Sequence, residues 1–218
     1  MHKTVNNLIQ IKNEIQSKNF DQSLKTNIIA VSKTFSMENI LALIDYGHLD
    51  YGENKVQEAL DKWTDVKRNK PNLNLHMIGK LQTNKVKYVV KLFDYIHSLD
   101  SIKLAKKISL EQNKIKRNLK IFIQINIGNE KQKNGVMIDE VENFYKLCVS
   151  DLNLDIIGLM CLPPANFDPS KSFEKMMQIA KKLNLKKLSM GMSADYLTAL
   201  KYNSTHVRIG SKIFGERN

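Results

Sequence analysis

Residues 119–127 read LKIFIQINI, and this stretch decides the fold class. Apolar side chains occupy most of its positions, with Phe122 and Ile125 among β-branched neighbours. A strand with one face in water alternates apolar and polar residues, whereas a strand buried on both faces is almost continuously apolar. The stretch therefore predicts a strand of a parallel sheet that is covered on both faces.

Seven shorter apolar runs lie before and after this stretch, and segments of helical period separate them. The eight predicted strands are 27–31, 48–52, 73–78, 95–98, 119–127, 155–160, 187–190 and 206–209. The amphipathic segments between them are 36–46, 55–70, 101–113, 138–150, 170–183 and 195–202. Strands that alternate with helices in this way form parallel sheets of repeated strand–helix units.

Strict alternation of eight strands with helices favours a closed (β/α)8 barrel of the TIM type. An open doubly wound sheet is the alternative that the pattern leaves open. A further helix over 5–17 precedes the first strand and is expected to flank or cap the barrel. Helix starts are predicted at Ser36, Ser101 and Ser170. Because the 218 residues include no linker or low-complexity segment, we expect one domain over 1–218.

The composition is that of an ordinary globular protein, with 42% hydrophobic and 26% charged residues. The opening segment lacks the apolar run of a signal peptide, and no stretch approaches the roughly 18 apolar residues of a membrane span, so we expect a cytoplasmic protein. Cys148 and Cys161 lack the spacing of metal ligands and are expected to be small buried side chains.

The formal charge of +12 raises the question of a polyanionic partner such as nucleic acid. The lysines are spread along the whole chain and form no single block with interleaved aromatic residues. Their abundance together with asparagine and isoleucine fits a background composition bias equally well. We therefore expect no specific nucleic-acid binding, and a basic binding module is kept as a separate alternative.

Lys33 is the first candidate functional residue, because the functional face of such a barrel lies at the carboxyl ends of its strands. It follows the apolar run IIAV and Ser32, which directs its amine to the mouth of the barrel. A lysine removed from water has a lowered pKa, which is the condition for forming an imine with an aldehyde. The alternative is a rim lysine whose charged end reaches water.

The last two strands are each followed by a glycine and a hydroxyl residue, in GMS (191–193) and RIGS (208–211). Loops after the seventh and eighth strands commonly bind phosphate, because glycine exposes backbone N–H groups and serine adds a hydrogen bond. Either motif alone predicts only a turn. The two together favour a phosphate site.

Two further candidates lie on the strands themselves. Arg208 either forms an ion pair with a carboxylate inside the barrel, or donates to a ring nitrogen of a ligand and keeps that nitrogen unprotonated. His76 is by itself more typical of a hydrogen-bonded core histidine than of a functional one. No metal site is predicted, and no residue is assigned a catalytic role.

Six segments, in order along the chain, resemble those of the pyridoxal phosphate homeostasis proteins, also called the YggS or proline synthetase co-transcribed family. They are AVSK (30–33), YGENKVQEAL (51–60), HMIGKLQTNK (76–85), GLM (158–160), LSMGMSADY (188–196) and VRIGSKIFGER (207–217). The similarity runs from about Leu8 to the C-terminus, so it covers essentially the whole chain.

The resemblance implies a barrel like the N-terminal domain of alanine racemase, which is fold type III among pyridoxal phosphate proteins. It also implies that pyridoxal 5′-phosphate is held as a Schiff base on Lys33. The other cofactor-binding positions that it implies are Ser193, Gly210 and Ser211 for the phosphate, Arg208 for the pyridine nitrogen, and Asn54 and His76 for the pocket wall.

The sequence departs from the family pattern at two places. Lys80 replaces a common proline, which affects the expected conformation of that loop more than cofactor binding. The segment 161–176 is shorter than usual and lacks the arginine expected shortly before Phe173. The missing arginine puts in question whatever contact it makes in the family, including one with a partner or a second ligand.

The function implied by the resemblance is intracellular homeostasis of this vitamin B6 cofactor, with apo-enzymes as candidate partners. Racemases and decarboxylases need acids, bases and a substrate carboxylate site, which a second domain and a partner subunit help to supply. An arginine at the ring nitrogen also weakens the cofactor as an electron sink. We therefore expect a monomer without enzymatic turnover, and the alternative is a racemase-like enzyme of low activity.

Overall fold

A computed structural model of the chain, which describes residues 1–18, 20, 25–130, 134–164 and 167–216, has the predicted closed barrel. All neighbouring strands are parallel, and the first strand closes the ring by pairing with the eighth. This closing pair excludes the open doubly wound sheet. The strands are β1 (Asn27–Val31), β2 (Asp50–Glu53), β3 (Asn74–Met77), β4 (Tyr95–Leu99), β5 (Lys120–Ile125), β6 (Ile156–Cys161), β7 (Lys187–Met192) and β8 (His206–Ile209).

Helices surround the barrel, and every predicted helix is present. They are α1 (Lys3–Ser17), α2 (Met37–Asp45), α3 (Val56–Asn69), α4 (Val86–Leu92), α5 (Ile102–Ile115), α6 (Val141–Lys146) with a π-helical turn over Leu147–Asp151, α7 (Ser170–Lys182), α8 (Tyr196–Lys201) and α9 (Ser211–Phe214). The sequence does not predict α4 and α9, because a helical period is hard to detect in seven and four residues. Within the described ranges, no helix has the length and apolar character needed to cross a bilayer.

The initial helix flanks the barrel, as expected. Val5, Leu8 and Ile11 of α1 are buried, because they share one face of the helix. This face packs against α2 and α9, and the Asn7 side-chain amide donates to the Ile213 carbonyl of α9 at 2.8 Å. The first helix therefore supports the chain segment that follows the last strand.

Burial along β5 follows the prediction made from LKIFIQINI. Every residue of β5 after Lys120 is buried. Ile121 and Ile123 belong to the main core, whereas Phe122 packs with Tyr95 and Met160 in a separate apolar cluster. Both cysteines are also buried and free, as expected. The strand is thus covered on both of its faces.

The predicted start of α7 at Ser170 is confirmed, but one of the three predicted caps is wrong. Ser36 and Ser101 occupy the N-cap positions of α2 and α5. By contrast, Ser170 is already the first residue of α7, and Pro169 holds the N-cap position. The Asp168 carboxylate accepts a hydrogen bond from the Ser170 backbone N–H at 3.0 Å, so the aspartate satisfies this helix end in place of the serine.

Candidate functional site

Lys33 lies directly after β1 at the carboxyl end of the barrel, where the sequence predicts it. Its side chain is half-buried. Ser32 is fully buried on the other side of the backbone, where its hydroxyl donates to Glu53 beneath α3. Lys33 itself lies in the turn that follows β1, at the mouth of the barrel.

Asn54 follows β2, and the loop after β3 lies against it. A Cβ atom at Gly79 would fall 2.3 Å from the Asn54 carbonyl oxygen, so only glycine fits at this approach. The ends of β2 and β3 therefore adjoin at the barrel mouth. Lys80, where the family commonly has proline, is exposed at this edge.

The loops after β7 and β8 meet, as predicted from their glycine and serine residues. The Ser193 hydroxyl accepts a hydrogen bond from the Lys212 backbone N–H at 3.4 Å. The Gly210 carbonyl accepts hydrogen bonds from Ile213 and Phe214, both at 2.9 Å, and so begins α9 with Ser211 as its first residue. The first N–H groups of a helix have no intrahelical acceptor, so those of α9 point toward the mouth of the barrel beside Ser193.

The seventh strand extends to Met192, two residues further than predicted, and therefore includes most of the GMS segment. Gly191 and Met192 belong to β7, and only Ser193 lies beyond the strand. Between Ser189 and Met192 the pairing of β7 with β8 shifts register. Gly191 has a φ of +93° at this irregularity, a conformation that favours glycine.

Arg208 is buried on β8, and its described partners are a hydroxyl and two backbone carbonyls rather than a carboxylate. Its guanidinium donates to the Ser189 carbonyl at 2.7 Å, to the Ser189 hydroxyl at 2.7 Å and to the Cys161 carbonyl at 2.9 Å. None of the carboxylates in the described part of the chain forms an ion pair with it, which argues against the first of the two sequence alternatives for this arginine. These bonds occupy three of the five guanidinium N–H groups. Two donors are not used by any other described residue.

A chain of hydrogen bonds through the barrel interior leads to Arg208, and the sequence does not predict it. It begins at the Asp50 carboxylate, which contacts His76 at 3.0 Å. The second ring nitrogen of His76 contacts His97 at 3.0 Å, and His97 contacts the Ser189 hydroxyl at 2.8 Å. Burial lowers the pKa of both histidines, so both are neutral at physiological pH.

His76 therefore has the environment of a core histidine. Its side chain is fully buried, both ring nitrogens contact other side chains, and the ring stacks on Tyr95 with 4.2 Å between centroids. Its predicted place in the wall of the cofactor pocket stays a prediction. The hydrogen bonds through His97 and Ser189 connect His76 indirectly to Arg208.

His97 and Ser189 are the site residues that sequence reasoning missed. Each lies on a predicted strand, and Ser189 lies inside the quoted motif LSMGMSADY. A polar residue inside an otherwise apolar strand is a signal, because a buried polar group needs a hydrogen-bond partner. That signal does not identify the partner.

Two segments used in the sequence analysis include residues outside the described ranges. Arg217, at the end of the motif VRIGSKIFGER, lies outside them, as do residues 165–166 of the shortened segment. Phe173 from the same segment is fully buried in α7.

Comparison with known sequences identifies the family of the chain. A family profile described as "Alanine racemase, N-terminal domain" matches residues 7–218. The pyridoxal phosphate homeostasis protein of Haemophilus influenzae is 35% identical over 223 residues, which cover 97% of this chain and 94% of that protein. The chain belongs to the pyridoxal phosphate homeostasis protein family. A relative of the same name from Escherichia coli K12 is 31% identical over 230 residues, covering 100% of this chain and 98% of that protein.

Solved structures agree with this family assignment. PipY of Synechococcus elongatus PCC7942 is 28% identical, and its structure without pyridoxal phosphate has a TM-score of 0.88, covering 98% of this chain and 100% of that chain. The PipY structure with pyridoxal phosphate bound has a TM-score of 0.86, covering 97% and 100%. An alanine racemase of Clostridium difficile 630, at 14% identity and a TM-score of 0.73, shares the barrel fold and is covered over 57% of its length.

Proposed function

We propose that the chain binds pyridoxal 5′-phosphate at the carboxyl end of the barrel, as a Schiff base on Lys33, and acts in homeostasis of this cofactor. One contact carries the proposal. Phe35, two residues after Lys33, stacks on Phe214 of α9 with 4.8 Å between ring centroids. This contact joins the segment that bears the amine to the helix whose first turn forms the proposed phosphate site.

The chemistry of the donors at this end fits the cofactor. A phosphate would receive hydrogen bonds from the Ser193 hydroxyl and from backbone N–H groups at the start of α9, where Gly210 has no side chain to block the approach. The two unused N–H groups of Arg208 would face the pyridine nitrogen. Asn54, half-buried after β2, would form part of the pocket wall, together with His76.

Each protein group then has a defined task. The Lys33 amine would form a C=N bond with the aldehyde carbon, and the aldehyde oxygen would leave as water. When bound, pyridoxal phosphate supplies a reactive aldehyde and, with a protonated ring, an electron sink. An Arg208 donor at the ring nitrogen would keep that nitrogen unprotonated and so hold back carbanion chemistry at the substrate carbon.

This arrangement supports storage or delivery of the cofactor without turnover. The relatives are named for homeostasis. We extend the proposal to one domain over 1–218 that works as a cytoplasmic monomer, since the Lys33 turn, Arg208 and the start of α9 all belong to one closed barrel. Apo-enzymes that need the cofactor would be its partners. The match to the alanine racemase domain favours a racemase-like enzyme of low activity as the second candidate.

Imine absorbance tests the proposal directly. We expect the purified protein to gain a visible band with pyridoxal phosphate, and Lys33→Ala to abolish it because no other amine occupies that position. After borohydride reduction, mass spectrometry should locate the pyridoxyl group on Lys33. Lys171→Ala, which removes an exposed lysine from the start of α7, is the matched control and should keep the band.

Two results would contradict parts of the proposal. A band that persists in Lys33→Ala would place the cofactor on another amine. Robust racemisation of an amino acid by the wild type, lost in Lys33→Ala, would favour the enzyme over the carrier.

A further inference from the structure

The segment that bears Lys33 is a tight turn with an unusual backbone. The Phe35 N–H donates to the Ser32 carbonyl at 3.2 Å, which places Lys33 and Thr34 at the two central positions of a four-residue turn. Thr34 has a φ of 67°. Turns with positive φ at this position usually carry glycine or asparagine, and a β-branched residue there is strained. The surrounding structure must therefore hold this turn in place.

Charged residues of α3 bind the turn on both sides of Lys33. The Thr34 backbone N–H donates to the Glu58 carboxylate at 2.5 Å. The Lys62 ammonium donates to the Ser32 carbonyl at 2.9 Å and to the same Glu58 oxygen at 2.6 Å. Glu58 thus binds Thr34, the residue after Lys33, and Lys62 binds Ser32, the residue before it, while Glu58 and Lys62 also pair with each other.

Glu53, the last residue of β2, ties the same turn to the barrel wall. Its carboxylate accepts hydrogen bonds from the Ser32 hydroxyl at 2.8 Å and from the Trp63 indole N–H at 3.0 Å, and Lys62 lies 3.4 Å away. Glu53 and Trp63 are fully buried. Charge-assisted hydrogen bonds of this kind are stronger than neutral ones, and burial protects them from screening by salt.

We propose that Glu58 and Lys62 are positioning residues, which hold the strained turn and thereby aim the Lys33 amine for imine formation. The inference rests on the proposed function of Lys33. Neither residue contacts the cofactor in this proposal, since both belong to α3, which lies outside the barrel wall. The effect of removing them should therefore appear in the share of bound cofactor that is joined as an imine.

The test compares Glu58→Ala with Glu142→Ala. Glu142 is a suitable control because it also pairs with two lysines, Lys146 and Lys182, but lies on α6 far along the chain. Total bound pyridoxal phosphate is measured by equilibrium dialysis, imine by visible absorbance, and stability of the cofactor-free protein by urea unfolding. We expect the apparent imine equilibrium constant to fall about tenfold in Glu58→Ala, the effect of one lost charge-assisted hydrogen bond, and to be unchanged in Glu142→Ala.

Glu58→Gln is a second, more conservative variant, which can be measured if Glu58→Ala does not fold. It keeps an oxygen acceptor for Thr34 but loses the charge, so we expect a smaller decrease in the same direction. If Glu58→Ala does not fold, the apparent imine equilibrium constant of Glu58→Gln alone tests the inference. An apparent imine equilibrium constant within about twofold of wild type in the folded Glu58→Ala variant, or unchanged in Glu58→Gln if only that variant folds, would overturn the inference. Absence of imine in the wild-type protein would instead reject the proposed function of Lys33.

Discussion

At the scale of single residues, two glycines of the proposed phosphate site are present for different reasons. Gly191 has a φ of +93°, and a Cβ atom there would lie 2.6 Å from the Ala199 side chain. Gly210 has a φ of −110°, and its Cβ would meet Val31 at 3.5 Å, an ordinary contact. The fold therefore requires glycine at 191 but not at 210. At 210 glycine would instead be needed for a phosphate to approach the backbone.

The two glycines should respond differently to the same substitution. We expect Gly210→Ala to change the free energy of unfolding by less than about 0.5 kcal/mol, because the chain has room for a methyl group. Its dissociation constant for pyridoxal phosphate should rise about tenfold, because the methyl group obstructs the backbone donors. Isothermal titration and urea unfolding measure the two quantities.

Gly191→Ala provides the comparison. Its overpacked contact with Ala199 and its positive φ should cost about 1–3 kcal/mol in unfolding free energy. Wild-type affinity in Gly210→Ala would show that the phosphate does not approach the backbone at the start of α9.

At the scale of secondary-structure elements, the start of α7 shows how a helix can be capped from outside its first turn. Asp168 lies two residues before the helix and accepts the Ser170 N–H. That backbone hydrogen bond lowers the pKa of Asp168, with a further contribution from the Ser170 hydroxyl. A folded-state pKa below the unfolded value stabilises the helix at neutral pH, and this contribution disappears as the carboxylate is protonated in acid.

Asp168→Ala should lower the melting temperature at pH 7 by roughly 2–4 °C, because the cap is lost. Ser170→Ala should leave the melting temperature nearly unchanged, since the backbone N–H at that position remains. Differential scanning calorimetry of the two variants distinguishes the roles. A larger decrease in Ser170→Ala than in Asp168→Ala would restore the serine cap that the sequence predicts.

At the scale of the whole molecule, the barrel buries four histidines, three on its strands and His48 just before β2. Burial disfavours their charged form. Burial is the main cause that lowers the pKa of His48 to about 4 and that of His206 to about 3. His76 and His97 are shifted in the same direction. In the unfolded chain each histidine titrates near its ordinary pKa of about 6.5. The unfolded state therefore takes up protons, below about pH 6.5, that the folded state does not.

Stability should consequently fall in mild acid, in the window between the unfolded and folded pKa values. For His48 and His206 together we expect a loss of about 3–4 kcal/mol in unfolding free energy from pH 7 to pH 5. Urea unfolding at pH 7, 6 and 5 measures it. His48→Gln should reduce the measured loss by the contribution of His48 alone, about 2 kcal/mol, whatever its effect on stability at pH 7. A stability that does not change over this range would mean that the folded protein accommodates protonated histidines.

The predictions made from sequence succeeded where short segments carry the information. Apolar runs located all eight strands to within a few residues, because burial on both faces of a parallel strand leaves a continuous local pattern. The position of Lys33 after β1 follows from adjacency in the chain, and so does the position of Ser193 and Gly210 after the last two strands. The capping residue of α7 was predicted wrongly although its first residue was predicted correctly, since Asp168 accepts the Ser170 N–H in place of a serine cap.

Amino-acid order alone thus determined the eight alternating strands and helices and the residues that follow each strand, whereas the pairing of β1 with β8 established that the sheet closes into a barrel. Tertiary structure alone decided which side chains meet: His97 contacts Ser189 across 92 residues, and Thr34 contacts Glu58 across 24. The physical reason is that local pattern records whether a side chain is buried, whereas a hydrogen bond requires two groups within about 3 Å of each other. That distance is set by closure of the barrel and by packing of α3 against it.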